Sequence, residues 1–150
     1  MEIQEDLRKR LKALFQQRHL AVLSTQQEGQ PYASLVAFAV SDDLKRFYFV
    51  TPKTTRKYEN LTVNPKVALL VNDSENRQED FHRAVAATIV GLAEEIGSPD
   101  REKVLVKYLA RHPHLADFAA SPTSALIQVV VRSYYLVRRF QHVMELHIEQ

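Results

Sequence analysis

Thr51 and the run Thr54-Thr55-Arg56-Lys57 bring hydroxyls, a guanidinium and an ammonium into one short stretch. Arg56 to Val63 carry a helical pattern closed by Asn64-Pro65, which makes Thr55 a capping residue at a helix start. The first backbone N–H groups of a helix lack intrahelical acceptors, and the helix dipole there favours negative charge. A phosphate dianion needs hydrogen-bond donors and compensating positive charge, and both meet here within one turn. Spacing alone leaves open the other reading, a capped surface helix with solvated basic side chains.

Other chemistries find less support. The histidines, His19, His82, His112, His114, His142 and His147, include no His-Glu-x-x-His arrangement, and neither His112 with His114 nor His142 with Glu145 and His147 justifies assigning a metal. A serine nucleophile elbow and a phosphate-cradling loop both need clustered glycines, whereas this chain has only Gly29, Gly91 and Gly97. With no cysteine, thiol nucleophiles, thiolate metal sites and disulfides are excluded, so redox chemistry would require a bound cofactor. Tyr134-Tyr135 followed by Arg138-Arg139-Phe140-Gln141 offers stacking faces for a planar ligand or RNA, though a core strand with exposed arginines explains it as well.

At 150 residues the chain is expected to form one domain over residues 1–150. It is 45% hydrophobic and 25% charged, as soluble globular proteins are. A net charge of +2 with dispersed basic residues gives no nucleic-acid footprint. Met1 to Asp6 is acidic and lacks an apolar run, so neither signal peptide nor membrane anchor is expected and the protein should be cytoplasmic.

The positioning elements follow from periodicity. Ile3, Leu7, Leu11, Leu14 and Phe15 predict an amphipathic helix over 2–17. An apolar strand at 20–23, a turn over 26–31, a strand at 32–40, a turn at 41–43 and a strand at 46–50 come next. After the helix at 56–63 lie a strand at 66–71, a charged stretch from 72 to 82, and a long strand at 83–96 in which Gly91 marks a bulge. Ser98-Pro99-Asp100 starts a helix with Pro99 as its first residue, Val104, Leu105, Tyr108 and Leu109 as its buried stripe, and an end near His112-Pro113. Residues 114–120 add a helical turn, 125–131 and 134–137 read as strands, and residues 140–148 extend toward the end. Roughly six or seven strands and three helices, one of them between the third and fourth strands, predict an α+β fold: a small antiparallel β-barrel with peripheral helices.

Taken in order, these segments resemble the FMN-binding split-barrel family related to pyridoxamine 5'-phosphate oxidase, over about residues 10 to 148. FYFVTPKTTRKYENLTVNPKVALLV is similar to the family's strand, threonine, Ser/Thr-Arg-Lys helix start, Asn-Pro turn and apolar strand. RAVAATIVGLAEEI resembles its strand ending in glycine and an acidic pair, and RRFQHVMEL the closing strand of its short members. The resemblance implies FMN as cofactor, with Arg56 and Lys57 on the phosphate, Thr55 donating a hydroxyl, and Val50 and Thr51 beside the ribityl chain and ring. Ser34, Leu35, Val36 and Ala37 of the second strand would meet the isoalloxazine through main-chain groups. It further implies a cytoplasmic homodimeric flavoprotein with the cofactor between subunits, and an oxidoreductase whose small-molecule substrate and catalytic residues the sequence does not name. Two departures count against oxidation of pyridoxamine 5'-phosphate itself. Ser34 stands where those oxidases carry an arginine, and the chain ends Leu146-His147-Ile148-Glu149-Gln150 in place of Arg-x-His-x-Arg. Haem, a deazaflavin, or flavin binding without turnover are the alternatives the same fold allows.

Overall fold

Helix α1 (Glu2–Gln17) buries Leu7, Leu11, Leu14 and Phe15 on one face, as their spacing requires; Ile3 stays exposed. The computed structural model describes residues 2–139 and 142–150. Met1 of the acidic terminus, and Phe140 and Gln141 of the stacking stretch, lie outside them. Strands β1 (Leu20–Gln27) and β2 (Gln30–Val40) form a hairpin. Its two-residue turn, Glu28-Gly29, has φ of 52° and 80°, the turn geometry that matches strand twist. The ladder therefore runs through residues 26, 27, 30 and 31, whose polar composition alone suggests a longer turn.

Strand β3 (Arg46–Pro52), helix α2 (Arg56–Val63) and strand β4 (Lys66–Asn72) follow at the expected places. Beyond them come α3 (Asp80–Arg83), β5 (Val85–Glu95), α4 (Asp100–Arg111), a 3-10 turn (Pro113–Leu115), α5 (Ala116–Ala120), β6 (Ser124–Arg138) and β7 (His142–His147). The sheet order is β3-β2-β1-β4-β5-β6-β7, and β3 also pairs with β6. Six antiparallel strands thus close into a barrel, and β7 extends it along the second half of β6. Phe15 enters the core from α1 and meets Phe38 and Phe47 edge-on, with centroids 6.0 and 5.0 Å away.

Three expectations change. Five α-helices replace three, because α3 and α5 are four and five residues long, too short for a helical period to declare itself. Strand β6 is continuous where two strands were expected. Val90 pairs with Ser133 and Gly91 with Val131, so Arg132 is accommodated as a bulge, and the inward set shifts from Val129 and Val131 to Tyr134 and Leu136. Gly91 is required there, since a Cβ would fall 2.3 Å from the Val130 carbonyl oxygen. Finally, Pro99 lies just before α4 rather than inside it, and of the expected stripe only Tyr108 is fully buried. Among the described residues no helix is long and apolar enough to cross a membrane.

Candidate functional site

Strands β2 and β3 pair only through Phe38–Phe49, Ala39–Tyr48 and Val40–Phe47. Beyond Phe38 they part. β2 stays on β1 down to Gln30, and β3 stays on β6 down to Pro52. Each strand therefore keeps one paired edge, and the two open edges face one another across a split. The Phe38 N–H donates to the His19 carbonyl at 3.2 Å, on the β1 side. Alternation turns the main-chain groups of Val36 and Ser34 the same way, and those of Ala37 and Leu35 toward the split. The four β2 residues expected at a ring thus present differently. The Val36 side chain lies in the barrel core, Leu35 is 65% exposed, and the Ser34 hydroxyl is buried without a partner.

Helix α2 starts at the far end of this split. Its capping residue, Thr55, has extended backbone (φ −86°, ψ 156°) and accepts from the Tyr58 N–H. The Thr55 hydroxyl donates to the Pro52 carbonyl at 2.9 Å and lies 2.8 Å from the hydroxyl of Thr51, which is fully buried. Its single proton is therefore committed within the loop, and Val50 is buried beside it in the chain. The N–H of Glu59 is taken by the Thr55 carbonyl, while those of Arg56 and Lys57 remain open to a ligand. The Arg56 guanidinium lies 5.6 Å over the Tyr32 ring of β2, so the helix start bridges the two sides of the split.

Electrostatics favour an anion here. Among the described residues neither Arg56 nor Lys57 has an ion-pair partner. The nearby carboxylate of Glu95 is already engaged, by Lys53 at 3.7 Å and by the Tyr58 hydroxyl at 2.6 Å. Lys57 is half-buried, and desolvation holds its ammonium below the ordinary lysine pKa; an incoming dianion would offset that cost. Two cations without counter-ions and two open N–H groups fit a phosphate group. Arg56, Lys57 and the start of α2 would hold it.

Sequence reasoning missed three neighbours. The Tyr108 hydroxyl donates to the Ala37 carbonyl at 2.9 Å, Tyr32 stacks under Arg56, and buried Asn60 donates to Thr25 at 3.1 Å with its own oxygen unpartnered. Only Tyr108 left a signal: a buried tyrosine needs a partner for its hydroxyl. The rings of His19 and His114 lie 6.1 and 6.3 Å from that of His112. His112 is buried with Nε2–H donating to the Phe38 carbonyl at 2.7 Å, and no group of three His, Asp or Glu side chains suits a metal among the described residues.

Fold and site together define an antiparallel split barrel with a candidate anion site at the foot of the split. The chain belongs to the pyridoxamine 5'-phosphate oxidase family, whose profile matches residues 7–138. Similar solved structures include a haem-binding protein from Mycobacterium smegmatis (TM-score 0.82, 13% identity, covering 93% of this chain and 57% of that one). HutZ, the haem storage protein from Vibrio cholerae, is similar with TM-score 0.74 and 19% identity over 87% of this chain and 92% of its own. An FAD-binding protein from Mesorhizobium loti matches with TM-score 0.65 and 17% identity over 84% and 89%. At these identities the likeness is one of fold, and the chain spans just over half the length of the mycobacterial protein. No curated protein matches the sequence.

Proposed function

We propose that this chain binds FMN, with the phosphate on Arg56, Lys57 and the open N–H groups of α2 and the ring in the split between β2 and β3. The observation that carries this reading is the pair of cations without counter-ions at the helix start that closes the split. The main-chain groups of Leu35 and the N–H of Ala37 point toward that gap, where a flat heterocycle with donors and acceptors on its edge would find partners. When bound, a flavin supplies hydride or electron transfer; the protein's part is to bind, orient and shield it. Thr51 and Thr55 keep the α2 start in register with β3, and Val50 walls the slot.

The working form is a homodimeric oxidoreductase with FMN at the subunit interface. Leu35, 65% exposed, lies on the outer face of β2, and a second copy would cover it together with the open face of the ring. Oxidation of pyridoxamine 5'-phosphate is not part of the proposal, given Ser34 on β2 and the Leu146-to-Gln150 ending.

Haem is the competing ligand, because two of the similar structures are haem proteins by name and propionates would suit the same cations. The visible spectrum of the purified protein, followed by identification of the chromophore released on denaturation, decides between them. Flavin bands and released FMN are expected. A Soret band, or release of haem or a deazaflavin, refutes the FMN reading.

A further inference from the structure

Nothing in the two strand sequences prevents β2 and β3 from pairing further. The register Val40–Phe47, Ala39–Tyr48, Phe38–Phe49 makes Ala37–Val50 the next rung. Ser41 donates to the Arg46 carbonyl, so hydrogen-bonded pairs recur at Ser41–Arg46, Ala39–Tyr48 and then Ala37–Val50. In that rung the Val50 N–H would donate to the Ala37 carbonyl. A side chain from another element occupies the place instead: the Tyr108 hydroxyl donates to the Ala37 carbonyl at 2.9 Å, and its ring packs in one cluster with Val50.

Tyr108 is anchored for this purpose. It is 1% exposed and packs with Ala39, Val50, Ile96, Ala119 and Leu126. Burial pushes its phenol up to about 12, so the proton donated to Ala37 is held throughout the neutral range. The carboxyl end of α4 is tied down on both sides. Arg111 donates to the carbonyls of Phe15 and Arg18 at the end of α1, and His112 donates to the Phe38 carbonyl, one residue along β2.

We propose that Tyr108 is a positioning residue for the ligand slot: its hydroxyl replaces the Ala37–Val50 rung and holds β2 and β3 apart. The opening of the split then begins at a fixed point, and the Leu35 main chain beyond it stays free for a ring. The link to a ring rests on the FMN reading; the wedge itself does not.

Tyr108→Phe removes the hydroxyl and keeps the ring that packs the cavity. In isotope-edited NMR of the flavin-free variant, a through-hydrogen-bond coupling between the Val50 amide and the Ala37 carbonyl is expected, absent in wild type. Such a coupling in the wild-type protein overturns the wedge without any variant, and its absence from a folded Tyr108→Phe protein overturns it as well. Titration of flavins reads the second half. FMN and riboflavin should both weaken by the same factor, roughly three- to tenfold, because the lost element serves the ring and not the phosphate. If the rung forms and both affinities stay unchanged, Tyr108 does not position the ligand. If wild type binds neither flavin, the FMN reading fails while the NMR result still decides the wedge.

Discussion

Arg56→Ala and Lys57→Ala should weaken FMN binding and leave riboflavin, which lacks the phosphate, nearly untouched. The magnitudes differ because the two cations sit differently. Arg56 is exposed and already stacked on Tyr32, so solvent screens its attraction. A charge-assisted hydrogen bond of this kind contributes about 1.5 kcal/mol, and its loss is roughly a tenfold change in Kd. Lys57 is half-buried, with desolvation depressing its pKa and no counter-ion, so its bond to a dianion should approach the upper end, about 3 kcal/mol or roughly a hundredfold. Both act on one phosphate, so their effects should couple in a double-mutant cycle. A pH arm uses the sign of the Lys57 shift. Its pKa is depressed in the free protein and raised by a bound dianion, so FMN affinity is full below the free-protein value and is lost as pH rises through the bound one; riboflavin affinity stays flat. Titrating both flavins into wild type and the three variants, followed by flavin fluorescence, checks all of this. Equal losses for FMN and riboflavin, or no loss for either, would refute the assignment of Arg56 and Lys57 to a phosphate.

Two predictions concern the scaffold. His112 has its pKa held below 6.5, first by desolvation, with Arg111, His19 and His114 adding repulsion against the hydrogen bond to Phe38. Its stabilising contribution is therefore present above the ordinary histidine pKa and lost as pH falls through the depressed value. His112→Gln, which can still donate to the Phe38 carbonyl, should flatten that acid-side decline in the urea midpoint; an unchanged pH profile would show that His112 is not its source. Gly91→Ala forces a Cβ to 2.3 Å from the Val130 oxygen and 2.8 Å from Val129 Cγ1, and the rigid partner is backbone. A cost of about 3 kcal/mol is expected, lowering Tm by roughly 6 to 12 °C in calorimetry; a shift under about 2 °C would mean that the bulge yields freely.

The sequence by itself determined what is decided within a few neighbouring residues. Helix α1 follows from the spacing of Leu7, Leu11, Leu14 and Phe15, and α2 from a capping threonine followed by eight residues and an Asn-Pro stop. Because Thr55, Arg56 and Lys57 are adjacent, the candidate anion site was legible before any fold was known. The bulge at Gly91 was marked by the glycine itself. Local spacing does not decide which strand edge finds a partner. Tyr108 reads as one more buried residue of an amphipathic helix, yet its hydroxyl reaches a carbonyl 71 residues away. Arg56 reads as a solvated helix residue until β2 brings Tyr32 beneath it. The alternation of Ser34 to Ala37 between β1 and the split depends on register, which cross-strand pairing sets and a single strand cannot encode. Capping and periodicity are short-range and so written in the chain; the split is an unpaired edge, and only the closed barrel decides where it falls.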